Sequence, residues 1–67
     1  MNDINNEPFN LSLRRFLKQV GVSSQQEIER IVRDHGLAGK GPLKVRMLLT
    51  AEGTDLRHEV NGTIDLG

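Results

Sequence analysis

The chain has 67 residues, no cysteine, and nine basic side chains against nine acidic ones. A net charge of zero disfavours a general polyanion binder, because such binding depends on many phosphate contacts, and the lack of cysteine excludes disulfides and cysteine-based zinc sites. With a hydrophobic fraction of 36%, so short a chain has room for one thin core and little for a ligand cavity. We therefore expect no cofactor.

The first eight residues are polar and end in Pro8, with Ile4 as the one sizeable aliphatic side chain. They predict a disordered leader at 1–8, followed by a single small domain at 9–67. No apolar run approaches the ~20 residues of a membrane helix, and the N-terminus lacks the basic and then apolar order of a secretion signal. We expect a cytoplasmic protein with no membrane partner.

The first predicted helix covers about residues 10–20, with Asn10 as its N-cap. Its apolar side chains recur at steps of four, three, one and three, which places them on one helix face: Phe9, Leu13, Phe16, Leu17 and Val20. Gly21 follows where a left-handed residue commonly ends a helix. The pattern predicts that the helix stops there.

A second predicted helix covers about residues 25–35. Ser24 and Glu27 have the spacing of a capping box, in which each side chain bonds a free backbone N–H of the other's residue. The apolar stripe of this helix is Ile28, Ile31 and Val32, extended by His35. Gly36 repeats the glycine stop, so both helix ends carry a recognisable signal.

After a glycine-rich connector the apolar period changes from 3.6 to 2, which predicts two antiparallel strands at about 43–50 and 55–65. A four-residue loop at 51–54 would form a hairpin. On one face it pairs Leu49 with Leu56, Met47 with His58 and Val45 with Val60, and on the other face it pairs Arg46 with Glu59. Asn61-Gly62 is either a bulge or bend in one long strand, which we favour, or a second turn.

The predicted fold is thus α+β, with two short helices followed by one antiparallel hairpin. A two-stranded sheet is marginal alone and both its edges are open, so a further strand would stabilise it. We expect a protein-interaction or assembly module acting through the hairpin, which pairs either with itself as a homodimer or with another protein. The expected contact residues, which the alternation places together on the outer face of the hairpin, are Leu48, Arg46, Arg57 and Glu59.

The alternative function is a small helix-turn-helix-like regulator of DNA. A Gly-Val-Ser turn joins the two predicted helices, although Leu17 stands where such motifs need a small residue and Ile28 comes one position late. The side chains that could contact an anion or nucleic acid are Arg14, Arg15, Lys18, Gln25, Gln26, Arg30 and Arg33. A plain helical hairpin with a solvated charged face is the simpler interpretation, so nucleic acid is the less favoured partner.

Catalysis is not indicated. His35 and His58 are isolated histidines, and the glycine-rich segment at 36–41 follows a helix, whereas a phosphate-binding loop follows a strand. No nucleophile with an adjacent base and no convergent carboxylate pair is implied, so we predict that the protein is not an enzyme.

The sequence resembles a family of short bacterial proteins that has no assigned function. The resemblance rests on FLKQVGVSSQQEIE at 16–29, the Met-Leu-Leu-Thr strand at 47–50 and the HEVNG segment at 58–62. It covers most of residues 9–66. It implies a free-standing bacterial protein and supplies no active-site residues.

Overall fold

A computed structural model describes residues 6–67 and has three elements: helix α1 (Glu7–Asp34), strand β1 (Pro42–Thr50) and strand β2 (Arg57–Asp65). The chain divides into two compact units, Met1–His35 and Gly36–Gly67. The predicted order of helix before antiparallel hairpin is confirmed, whereas the prediction of two helices is wrong. Of the predicted leader, residues 1–5 lie outside the described residues, and the single domain at 9–67 stays a prediction.

Helix α1 begins earlier than the sequence pattern indicated. Its N-cap is Asn6, whose side-chain oxygen accepts a hydrogen bond from the Phe9 N–H at 3.3 Å. Pro8 lies in the first turn, where the missing N–H of proline leaves no intrahelical bond unmade. Asn10, the predicted cap, is already inside the helix, and its own N–H donates to the Asn6 carbonyl oxygen at 3.0 Å.

Helix α1 runs through Gly21 and the predicted capping box without a break. Gly21 does not have the positive φ that a glycine stop requires, and the Ser23 hydroxyl donates to the Gln19 carbonyl oxygen at 2.8 Å, one turn back. Ser24 is a mid-helix residue, so the predicted cap at Ser24 is wrong. The local glycine signal is overridden because the apolar positions on both sides of it belong to one stripe.

The predicted end of the second helix is confirmed at the end of α1. His35 is the C-cap and donates its N–H to the Ile31 carbonyl oxygen at 3.0 Å. Gly36 follows with φ of 60°, the left-handed conformation that glycine adopts without a Cβ clash. Gly36 and Gly21 differ in this backbone conformation, which the sequence alone does not display.

Replacing Gly21 with alanine is expected to stabilise α1 by about 0.5–1 kcal/mol, because glycine in a helix interior is disfavoured by that amount relative to alanine. The site has room for the change, since a Cβ at Gly21 would have nothing within 4 Å. The measurement is thermal unfolding followed by far-UV circular dichroism. A loss of stability would indicate a left-handed Gly21 and hence two helices. The control is Gly36→Ala, which should destabilise the protein because Gly36 has a positive φ.

The hairpin pairs β1 with β2 in a register two residues away from the predicted one. Thr50 pairs with Arg57, Leu49 with His58, Met47 with Val60, Val45 with Gly62, and Leu43 with Ile64. The predicted pairs Leu49–Leu56, Met47–His58 and Val45–Val60 are therefore wrong. Because the shift is two residues, every side chain keeps its predicted face.

The register shift originates in the connection between the strands. The Thr54 N–H and hydroxyl both bond the Ala51 carbonyl oxygen, at 3.3 and 2.8 Å, and Gly53 has φ of 76°. The Thr54 hydroxyl oxygen also accepts from the Leu56 N–H at 3.1 Å. This side-chain bond holds Asp55 and Leu56 in the connection, so β2 starts only at Arg57.

Gly62 is a regular strand residue opposite Val45, and the pairing continues from Asp65 to Arg57 without an inserted residue. It is therefore neither a bulge nor a second turn, which confirms the single long second strand. A Cβ at Gly62 would lie 3.9 Å from the Val45 Cγ2 atom, an ordinary contact distance. Gly62 thus leaves a gap on the face of the sheet that carries Val45.

Among residues 6–67 no side chain is buried, and the hydrophobic residues expected to form a core are half-buried or exposed. Val20, Ile28 and Ile31 are half-buried on α1; Leu43, Val45 and Ile64 are half-buried on the hairpin.

Candidate protein-interaction surface

The alternation of side chains gives the hairpin two distinct faces. The apolar face carries Leu43, Val45, Met47, Leu49, His58, Val60, Gly62 and Ile64. The polar face carries Lys44, Arg46, Leu48, Thr50, Arg57, Glu59, Asn61 and Thr63. Successive residues of a strand point to opposite sides, so this division follows from the register alone.

All four predicted contact residues lie on the polar face. Leu48 is opposite Glu59, and Arg46 is opposite Asn61. The predicted pairing of Arg46 with Glu59 is wrong, because the longer connection moves Glu59 by two positions. The Glu59 carboxylate instead accepts from the Asn61 side-chain amide at 3.1 Å.

The backbone hydrogen bonds show which residues face outward at the edges of the sheet. The Leu66 N–H donates to the Gly41 carbonyl oxygen at 3.3 Å, which makes this pair a hydrogen-bonded one. Hydrogen-bonded pairs alternate with non-hydrogen-bonded ones along an antiparallel ladder. The outward backbone groups of β2 therefore belong to five residues, which form the β2 edge: Arg57, Glu59, Asn61, Thr63 and Asp65.

The same alternation defines the β1 edge as Pro42, Lys44, Arg46, Leu48 and Thr50. Proline and lysine at a sheet edge hinder further strand pairing, the first because it lacks an N–H and the second because of its charge. The β2 edge has no proline and no bulge, although Arg57, Glu59 and Asp65 on it are charged. Of the two edges, β2 is the one on which every residue keeps its backbone N–H.

The residues predicted to contact an anion all lie on α1, and three of them already contact carboxylates of the same helix. Arg30 bonds the Glu27 carboxylate at 2.8 Å and lies 3.7 Å from the Asp34 carboxylate, while Arg33 lies 3.5 Å from Asp34. Gln25 donates to Glu29 at 3.1 Å. These carboxylates beside the basic groups are unfavourable for a phosphate backbone.

Helix spacing puts the basic residues Arg14, Arg15 and Lys18 on one side of α1, and Gln26 lies two turns further along the same helix. The predicted helix-turn-helix is absent, because Gly21 does not interrupt α1. DNA binding therefore remains a prediction without the motif on which it was based. These seven polar side chains form no bihelical recognition unit.

One surface was not recognised from the sequence. The apolar residues of the two predicted helices form a single stripe on α1, since Leu17 and Ile28, like Val20 and Ile31, are 11 residues or about three turns apart. Phe16 and Leu17 on this stripe are 47% and 50% exposed. This 11-residue spacing between the two predicted stripes is the feature of the sequence that indicates a single continuous helix.

Within residues 6–67 no group of three or more His, Asp or Glu side chains could hold a metal ion. The described residues also contain no helix with the length and hydropathy needed to span a bilayer. An open hollow on the hairpin is lined by Lys44, Val45, Asn61, Gly62 and Thr63.

The sequence model of one family, described as a family of unknown function (DUF6494), matches residues 1–67. The chain belongs to this family. The resemblance noted from the segments at 16–29, 47–50 and 58–62 is thereby confirmed. No curated protein and no solved structure matches the chain. Membership in DUF6494 assigns no activity to the chain.

Proposed function

We propose that this protein is a non-enzymatic interaction module whose hairpin accepts a further strand at the β2 edge. The observation that carries the proposal is the edge itself: five residues with outward backbone groups, each of which keeps its N–H, and no bulge to prevent pairing. An added strand would bond these backbone groups, as in other cases of recognition by strand addition.

The energetics of a small sheet support the same proposal. A hairpin of two strands is at best marginally stable in water, and a third strand adds both backbone hydrogen bonds and side-chain contacts. No residue of the described hairpin is buried, and Met47 and Val60 on its apolar face are exposed. A strand added at β2 would extend the apolar face and cover part of these side chains.

The test is amide hydrogen exchange, measured residue by residue by NMR on labelled protein, alone at high concentration and in bacterial extract. The N–H groups of Glu59, Asn61 and Thr63 point outward and should exchange rapidly on an open edge. Under at least one condition we expect them to be slowed at least tenfold relative to dilute protein, because a paired strand protects its amides. Equal exchange under all three conditions would contradict the proposal.

Two variants of Asn61 separate edge pairing from general stabilisation. Asn61→Pro removes an outward N–H and leaves the bonds between β1 and β2 intact, so the added protection at Glu59 and Thr63 should disappear. Asn61→Ala removes the same side chain but keeps the N–H, so the protection should persist. If both variants behave alike, the contact does not use the backbone of the β2 edge.

A further inference from the structure

We infer that the strand added at the β2 edge is β2 of a second copy, antiparallel and centred on Asn61. This inference rests on the proposed function and specifies its partner. The product would be a four-stranded sheet in the order β1, β2, second β2, second β1. Three independent features of the hairpin favour this arrangement: the backbone groups, the charges and the position of Gly62.

The backbone groups fit a two-fold arrangement centred on Asn61. Residue 61 is the midpoint of β2 (Arg57–Asp65), so this alignment overlaps the strand over its whole length. It pairs Asn61 with Asn61 of the second copy, Glu59 with Thr63 of the second copy, and Arg57 with Asp65 of the second copy. All of these residues belong to the outward-facing set, so each such pair can be a hydrogen-bonded pair.

The charges select the same alignment. Each Arg57 would oppose Asp65 of the second copy, and the two-fold symmetry gives two such ion pairs, one at each end. A parallel alignment in register would instead place Arg57 beside Arg57 of the second copy and Asp65 beside Asp65 of the second copy, so that like charges would repel. The β1 edge is less suited to pairing with a second copy of itself. Two-fold pairing about its midpoint would set Arg46 directly opposite Arg46 of the second copy, and it would include Pro42, which has no N–H.

The gap at Gly62 supplies the third feature. In this alignment Val60 lies opposite Gly62 of the second copy on the apolar face, in a non-hydrogen-bonded pair where side chains are closest. Val60 is 52% exposed, and the space above Gly62 is next to the Val45 side chain. A valine covering a cross-strand glycine buries apolar surface of both copies.

The two-fold contact also limits the assembly to two copies. A two-fold contact uses the same edge of both copies, so no unpaired β2 edge remains to recruit a third copy. The outer edges of the four-stranded sheet would be the two β1 strands, which carry Pro42 and Lys44 as protection against further pairing. The assembly is therefore a dimer and not a fibre.

The test is a charge-swap cycle on the full chain, with the dimer dissociation constant measured by analytical ultracentrifugation at low and moderate salt. Arg57→Asp and Asp65→Arg each replace two attractive pairs with two repulsive ones, so each should weaken the dimer about tenfold. The double variant restores opposite charges across the contact and should return to within about threefold of the original constant. Glu52→Arg is the control, since it changes charge by the same amount in the exposed connection between the strands, outside both edges of the sheet, and should leave the constant unchanged.

The outcomes separate this inference from the proposed function. A monomer at all concentrations whose β2 amides are protected in extract would overturn self-pairing and leave strand addition standing. A monomer with unprotected amides would overturn both. A dimer that both single variants leave unchanged would place the contact elsewhere, for example on the apolar stripe of α1, and would overturn the inference. Loss of the dimer in all three variants without rescue would also contradict it.

Discussion

Replacing Gln25 with proline is expected to break α1 near its centre and to cost about 3 kcal/mol of helix stability. Residue 25 is an interior position of Glu7–Asp34, where proline removes one backbone hydrogen bond and clashes with the carbonyl group one turn earlier. If a second helix started at Ser24, residue 25 would be its first position, where proline is well tolerated. The two arrangements therefore predict opposite results for one substitution.

The measurement is the helical signal at 222 nm and its thermal loss, compared with Gln25→Ala. The alanine variant loses only the exposed hydrogen bond to Glu29, a change of a few tenths of a kcal/mol that the higher helix propensity of alanine offsets. We expect the alanine variant to match the parent and the proline variant to lose much of its helical signal. A proline variant as helical and as stable as the parent would show that α1 is interrupted at residue 24.

The error about α1 has a definite physical origin. Glycine after an apolar stripe and a serine three residues before a glutamate are local signals, each worth about 1 kcal/mol when it forms its cap. They compete with the continuity of the stripe, which only a comparison across Gly21 reveals. Val20 and Ile31 lie on the same side because 11 residues complete about three turns, and an unbroken helix keeps them there.

The hairpin was easier to predict from sequence than its register. The alternation of Leu43, Val45 and Met47 with polar neighbours fixes strand faces, and those faces were correct. The register depends on the connection, where Thr54 bonds both Ala51 and Leu56 and thereby lengthens the loop by two residues. Such a side-chain bond leaves no periodic trace in the sequence.

The candidate surface shows the same division between pattern and geometry. The sequence correctly placed Arg46, Leu48, Arg57 and Glu59 on one face, because only the alternation is needed for that. It could not show which backbone groups point outward at each edge, since the outward direction of each N–H depends on the phase of the ladder. The hydrogen bond from the Leu66 N–H to the Gly41 carbonyl oxygen determines that phase.

An engineered cross-strand disulfide is expected to distinguish the two registers and to stabilise the hairpin by about 3 kcal/mol when placed at residues 46 and 61. Arg46 and Asn61 are direct partners in a non-hydrogen-bonded pair, where Cα atoms lie roughly 4.5 Å apart and within the range of disulfides. Arg46 and Glu59 are diagonal neighbours, with Cα atoms about 7–8 Å apart and beyond easy bridging. The natural chain has no cysteine, so each double variant contains only the introduced pair.

The comparison is therefore between Arg46→Cys with Asn61→Cys and Arg46→Cys with Glu59→Cys, each oxidised under mild conditions and assayed by free-thiol titration. We expect the first pair to oxidise fully and to raise the unfolding temperature relative to its reduced form. The second pair should remain largely reduced or form intermolecular links, because closing it requires the strands to slide. The opposite result would mean that β2 pairs with Glu59 opposite Arg46, and the β2 edge would then end at different residues. Because a slide of two residues keeps the side-chain faces but moves the β2 span, it would also displace the Arg57 and Asp65 ends that the dimer requires.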